Sequence, residues 1–223
     1  MAFAETVNAT GAQRSANAIM ELFARDECIF YVKELISQDL CRTFIALYEA
    51  DPRKHPGYTA SAGGDKQLEV NVKVSTDLDV ETDGIWTAAF AELHSAVTTV
   101  ILSIAAQFPS LQVAPLRCTG YKIQHYKKNA GHFKWHFDAL GPGGWDRQLA
   151  VIVYLNSVAD GGETCFHRQN LKVKPVAGDA LFFPTFWTHL HRGEIPKSSD
   201  KYVISSFIRF AIPGTDDNSV DLG

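Results

Sequence analysis

The chain has 223 residues, 46% of them hydrophobic, which is enough for one substantial core and within the usual range of a single domain. Its 25 acidic and 21 basic residues leave a net charge of −4, so it exerts no long-range attraction on nucleic acid or an anionic membrane. No apolar run approaches bilayer-spanning length, the start Met1-Ala2-Phe3-Ala4-Glu5 lacks a secretory pattern, and Cys28, Cys41, Cys118 and Cys165 form no CxxC pair. A soluble, cytoplasmic protein with reduced, mostly buried thiols is expected.

The first predicted element is a helix over about Gly11 to Arg25, from the helical spacing of Ala18, Ile19, Leu22 and Phe23. Ile29 to Val32 is read as a short strand. Ser37 is placed as the N-cap of a second helix whose inner face uses Leu40, Phe44, Ile45 and Tyr48. Pro52 to Asp65 is a loop by composition, and Leu68 to Val74 alternates like a strand. A long amphipathic stretch from about Thr82 to Gln107 ends at Pro109. From there short β-type runs take over: 116–126, 131–137, 149–155, 163–166, 171–173, 181–183 and 202–210. Turn residues separate them, among them Gly141-Pro142-Gly143-Gly144 and Gly161-Gly162. Such spacing predicts a mainly β sandwich or barrel with supporting helices, an α+β arrangement. The whole chain is taken as one domain, with 1–112 as helical and strand support and 113–223 as the β core.

Within the segment 131–137 and just beyond it stands His136-Phe137-Asp138. On a strand, His136 and Asp138 share one face while Phe137 points away, so two different ligand types lie side by side. A third ligand must come from elsewhere, and His189 and His191 are the candidates, since they too would share a strand face. Two imidazoles and a carboxylate leave three positions open on an iron ion, whereas zinc favours four-coordinate sites with one open position. An HxD alone is weak, because satisfied strand residues give the same pattern.

Six elements in order, between about Thr119 and Arg209, resemble the prolyl 4-hydroxylase-like branch of the Fe(II)/2-oxoglutarate oxygenases. They are Tyr126 ten positions before His136; His136-Phe137-Asp138; Val153-Tyr154-Leu155-Asn156; Gly161-Gly162-Glu163-Thr164; Gly178-Asp179-Ala180; and His191-Arg192-Gly193 with Lys201 ten positions later. The resemblance implies a double-stranded β-helix, or jelly roll, with the N-terminal helices packed against it. It implies His136, Asp138 and His191 as iron ligands, and the ten-residue interval to Lys201 favours His191 over His189. It implies Lys201 on the distal carboxylate of 2-oxoglutarate, a charge-assisted bond typically worth about 1.5–3 kcal/mol. Ser205, on the same strand face, is a second donor to that carboxylate. Tyr154 matches a tyrosine at the distal end, Tyr126 one near the chelating end, and either is equally well read as a core aromatic. Arg209 is a rival cation further along, with an exposed or structural role expected.

The resemblance further implies Fe(II), 2-oxoglutarate and dioxygen, with ascorbate as reductant, and hydroxylation of a C–H bond with release of succinate and carbon dioxide. A peptidyl, prolyl-type residue is the first expected substrate; a free amino acid or small metabolite is the alternative. A nucleic-acid demethylase is disfavoured by the acidic balance and by the lysine at 201. A jelly-roll binding protein without catalysis is disfavoured by the full ligand set.

Gly161-Gly162 and Gly178-Asp179 are expected to serve turns. Trp135, Phe137, Trp145, Phe186 and Trp187 are expected in the core, with one or two walling a substrate mouth. His125, His132 and His167 are expected at surface or hydrogen-bonded positions. Lys122, Lys127, Lys128 and Lys134 are read as a solvated strand edge, or as an attractor of an acidic ligand. Loops 52–65 and 139–147 are candidate covers over the substrate.

Overall fold

The computed structural model describes residues 20–22, 28–61, 63–80, 84–211 and 220–221. The strands that position the site are β1 (Phe30–Val32), β2 (Lys73–Val74), β3 (Thr76–Val80), β4 (Tyr121–Tyr126), β5 (His132–His136), β6 (Arg147–Tyr154), β7 (Thr164–Phe166), β8 (Leu171–Val173), β9 (Ala180–Pro184), β10 (His191–Gly193) and β11 (Lys201–Phe210). A major antiparallel sheet runs in the order Met20–Leu22, β1, β9, β6, β11, β4, β3, His55–Pro56, and Leu116–Cys118 and Val220–Asp221 add to it beside β11. A minor sheet runs β8-β7-β10-β5-β2. The two sheets make the expected jelly roll, and strands from before residue 112 complete both. Only Ser75 separates β2 from β3, so the chain passes from one sheet to the other at that corner.

Alternation along the central strands divides the core in two. Leu149, Val151 and Val153 of β6, Phe182 of β9, and Ile204 and Ile208 of β11 face the helices. Ala150, Tyr154, Leu181, Phe183 and Val203 face inward, against Phe166 and Val173 of the minor sheet. Both faces of the major sheet are therefore covered at its centre, and β6 and β9 there read as nearly continuous apolar runs.

Helix α1 (Gln38–Ala50) begins where Ser37 Oγ accepts the Leu40 amide at 3.1 Å, and it buries Leu40, Cys41, Phe44 and Tyr48. Helix α2 (Thr87–Gln107) follows a single 3-10 turn, Gly84–Trp86. It lays Phe90, Leu93, Val97, Ile101 and Ile104 on the sheet, and rings of Phe44, Phe90 and Tyr121 join helix, helix and strand at 5.1 Å spacings. Contrary to the expectation from sequence, Gly84–Gln107 is long and apolar enough to cross a bilayer by length and composition. In this fold its apolar row is the cover of the major sheet.

Other expectations shift. Met20–Leu22 is a strand paired with β1, so the predicted first helix does not hold there; most of that stretch lies outside the described residues. The strand expected over 68–74 is only β2, because a turn intervenes in which the Val72 and Lys73 amides donate to the Glu69 carbonyl. Leu68 and Val70 are consequently exposed. The run 116–126 is two strands, broken at Gly120, whose φ of +85° no β-branched residue would accept. Strand β3 was not foreseen, since Thr-Asp-Leu-Asp-Val carries a charge at a buried position. Gly178-Asp179 docks β1: Asp179 accepts from the Tyr31 hydroxyl and the Glu34 amide, and the Gly178 carbonyl accepts the Ile36 amide.

Candidate active site

The inner face of the sandwich opens into a cavity of about 1270 Å³. On the minor-sheet side, β5 ends at His136, so Asp138 stands two residues beyond the strand and not inside it, as the sequence suggested. Its position is fixed instead by two backbone bonds, in which Asp138 N and Ala139 N both donate to the Thr185 carbonyl at 3.0 Å. His191 opens β10 directly opposite His136. Donor atoms of His136, Asp138 and His191 all lie within 4.8 Å of one another. Asp138 is 3.7 Å from His136 Nε2 through one oxygen and 3.6 Å from His191 Nε2 through the other. Metal bonds of about 2.1 Å put donors on one ion roughly 3 to 4.2 Å apart, so these two separations fit a shared ion.

The histidine tautomers fit as well. Nδ1 of His136 bonds the Lys134 carbonyl at 2.7 Å, and Nδ1 of His191 bonds the His189 carbonyl at 3.0 Å. A carbonyl can only accept, so each Nδ1 carries the proton and each Nε2 keeps a lone pair on the side of Asp138. Burial, followed by the neighbouring His191, pushes the His136 imidazole well below its usual pKa and keeps it neutral. Burial raises the Asp138 carboxyl, against the lowering pull of His191, Arg147 and Lys73.

His189 is absent from this cluster. It closes the 3-10 turn Trp187–His189 rather than sharing a strand face with His191, and its Nδ1 bonds Thr188 Oγ1 at 3.0 Å. Its contribution to the site is the backbone carbonyl that orients His191.

Lys201 begins β11 on the inner face of the major sheet, 4% exposed. Its Nζ donates to the Gly162 carbonyl at 2.7 Å and lies 5.6 Å from the Tyr126 ring and 5.5 Å from the Tyr154 ring. Gly162, read from sequence as a turn residue, thus also holds the ammonium group. Burial lowers the Lys201 pKa to about 8. Tyr154 donates to or accepts from Thr164 Oγ1 at 2.7 Å, and Tyr126 donates to Gln124 Oε1 at 3.3 Å. Ser205 lines the cavity on the Lys201 face, about 13 Å further along at 3.3 Å per residue. There it pairs with Lys122 and Ile152. Arg209 pairs with Asp146 at 3.1 Å, the structural role expected of it.

Sequence reasoning missed several wall residues. Arg147 donates to the Asp138 carbonyl at 3.1 Å and stacks 3.9 Å over Phe207. Phe133 stacks on His136 with centroids 3.5 Å apart. Strict alternation would put residues three apart on opposite faces; a bulge between Phe133 and His136 brings both inward. Lys73, Asp77 and Gln124 form a buried polar group beside them. No motif marks these residues, because the topology alone brings them together. Of the aromatics expected in the core, Trp145 and Trp187 are instead largely exposed, and Trp135 lines the mouth. At the mouth the hairpin Thr59–Ala60/Lys66–Gln67 leans on the second loop, and a Cβ on Gly141 would meet the Ser61 carbonyl at 2.8 Å and the Gly64 amide nitrogen at 3.2 Å.

Residues 121–209 match the family described as the 2OG-Fe(II) oxygenase superfamily, a span that contains every residue assigned above from the resemblance. Prolyl 4-hydroxylase 13 of Arabidopsis thaliana is 25% identical over 204 residues, covering 81% of this chain and 70% of that protein. Prolyl 4-hydroxylase subunit alpha-3 of Homo sapiens is 30% identical over 142 residues, 59% of this chain, and this chain spans only 23% of that subunit. Among solved structures, a Trichoplax adhaerens prolyl hydroxylase in complex with a hypoxia inducible factor peptide fragment superposes with a TM-score of 0.73 at 16% identity, covering 92% of this chain and 94% of that one. A Pseudomonas putida prolyl-4-hydroxylase gives 0.63 at 16% identity, covering 84% and 95%. These structural likenesses establish the fold. The matched family model, over 121–209, and the sequence relatives make this chain similar to the Fe(II)- and 2-oxoglutarate-dependent oxygenases of the prolyl 4-hydroxylase-like branch.

Proposed function

We propose that this protein is a dioxygenase that hydroxylates a C–H bond of a prolyl-type residue in a peptide. The observation that carries the reading is the His136–Asp138–His191 cluster, with both Nε2 lone pairs free to ligate, in one cavity with the buried Lys201 ammonium. The peptide substrate is supported by the relatives, whose names identify them as prolyl hydroxylases, one of them in complex with a peptide fragment.

His136, Asp138 and His191 would hold iron(II) on one side and leave the other side open. When bound, iron and 2-oxoglutarate together use dioxygen to hydroxylate a substrate C–H bond, releasing succinate and carbon dioxide. Lys201 would hold the distal carboxylate, giving up its bond to the Gly162 carbonyl or sharing it. The buried rings of Tyr126 and Tyr154 beside the Lys201 ammonium keep water from that end of the cavity. Tyr126 completes the co-substrate wall in this reading, whereas Ser205, about 13 Å along the strand from Lys201, is too far along to share the carboxylate that Lys201 holds, contrary to the expectation from sequence; ascorbate is the reductant that sustains turnover. Support region 1–112 and core 113–223 act as one domain, because strands of both build both sheets.

The test is succinate release across proline-containing peptides, free amino acids and small metabolites, given iron(II), ascorbate and oxygen. The expected result is stimulation by peptides and hydroxyproline in the product. Stimulation by a free amino acid alone would replace the peptide reading, and failure to bind iron and 2-oxoglutarate together anaerobically would favour a non-catalytic binding protein.

A further inference from the structure

One buried ion pair outside the expected set touches both halves of the site. Lys73 and Asp77 are 3% and 0% exposed, at the corner where β2 gives way to β3. Lys73 Nζ donates to Asp77 Oδ2 at 2.7 Å, Ser75 Oγ donates to Oδ1 at 2.7 Å, and the Gln124 amide donates to Oδ2 at 3.4 Å. Burying two charges is expensive, and a well-packed apolar pair of the same size often stabilises a fold as well or better. What the pair touches explains its position better than stability does.

On the metal side, the Lys73 ammonium lies 5.2 Å from the centroid of Phe133, and Phe133 stacks on the His136 imidazole at 11°. The Lys134 carbonyl fixes one end of that imidazole, and the Phe133 face fixes its plane. On the co-substrate side, Gln124, which donates to Asp77, accepts the Tyr126 hydroxyl, and the Tyr126 ring flanks Lys201. Contacts run unbroken from Asp77 in both directions.

We propose that Lys73, held by Asp77, is a positioning residue: through Phe133 it sets the plane of the His136 ring, and the same pair, through Gln124 and Tyr126, sets the wall beside Lys201. This rests on the reading of His136 as a metal ligand and Lys201 as the co-substrate anchor. A cation over a ring face holds that ring in place, and a partner that orients a ligand typically governs about 10–100-fold in metal affinity.

The test uses Co(II) as a metal probe, titrated into the full chain without co-substrate, and then 2-oxoglutarate titrated into the Co(II)-loaded protein. Lys73→Met with Asp77→Leu removes both charges together and is expected to fold with a melting temperature at or above that of the unaltered protein. Its Co(II) affinity is expected to fall at least about tenfold, with a parallel loss in 2-oxoglutarate affinity. Lys73→Arg beside the native Asp77 is expected to restore most of both. A folded double variant with unaltered affinities for Co(II) and 2-oxoglutarate would overturn the proposal. Should that variant not fold, Phe133→Leu keeps the ion pair, removes the stacked ring, and carries the same expectation and the same refutation for Co(II). Failure of the unaltered protein to bind Co(II) would instead overturn the metal-site reading beneath it.

Discussion

Lys201 is buried as a cation at a cost to the fold. Its pKa falls from the usual 10.5 to about 8 because it is buried, and among the described residues no carboxylate pairs with it. That difference corresponds to about 3 kcal/mol of disfavoured charge. Below pH 8 both folded and unfolded states carry the proton, and the penalty is fully present. Between about 8 and 10.5 the unfolded chain binds more protons, so stability rises with pH, and above 10.5 the penalty is gone. Lys201→Met should therefore raise the melting temperature at pH 7, with the gap narrowing by pH 10, while 2-oxoglutarate binding is lost. In the unaltered protein, affinity for 2-oxoglutarate should decline about tenfold per pH unit above roughly 8, measured by titration calorimetry; a flat profile to pH 9.5 would mean that another group anchors the co-substrate. The two candidate histidines separate just as clearly. His191→Ala should abolish Co(II) binding, and His189→Ala should retain it, because the part His189 plays is a backbone carbonyl that alanine also supplies. The reverse pattern would show that the wrong ring was chosen. That His136 and Asp138 meet His191, and that Lys201 lines the same cavity, was legible in the sequence from motif and interval. Phe133 was not, since a bulge breaks the alternation on which such reading depends.

The elements that sequence described well are those whose pattern and caps agree. Helix α1 was legible from Ser37 and its apolar row, and α2 from its length and the stop at Pro109. Elements that depend on partners outside their own segment were not: Met20–Leu22 is a strand because β1 pairs with it, and Thr76–Val80 because it lies between β4 and His55–Pro56. The cover helix carries a prediction of its own. Leu93 is fully buried between α2 and the major sheet, so Leu93→Ala should lower stability by about 2–5 kcal/mol in denaturant unfolding. Metal affinity should be unchanged, because Leu93 packs on the opposite face of the sheet from the cavity. A large loss of Co(II) affinity at full folding would mean that the two faces are mechanically coupled.

At the scale of the molecule, the proposed metal ligands sit on or beside the minor sheet and the proposed co-substrate anchor on the major one. Metal and 2-oxoglutarate bound together would cross-link the two layers. Saturation at a hundred times the dissociation constant adds about 2.7 kcal/mol, roughly 5–10 °C in melting temperature for a domain of this size. Co(II) with 2-oxoglutarate should therefore raise the melting temperature by more than Co(II) alone, in thermal unfolding followed by circular dichroism. Equal shifts would mean that the Co(II)-loaded protein does not bind 2-oxoglutarate. The cavity mouth offers a different handle. Between residue 141 and the hairpin tip there is room for hydrogen atoms only, and the backbone there has a φ of +73°. That glycine works as a keystone with no side chain: a larger residue there would part the jambs of the doorway. Tolerance for bulkier guests thus becomes adjustable at a position remote from the reacting atoms, and Gly141→Val should shift relative rates toward wider substrates in a competition assay.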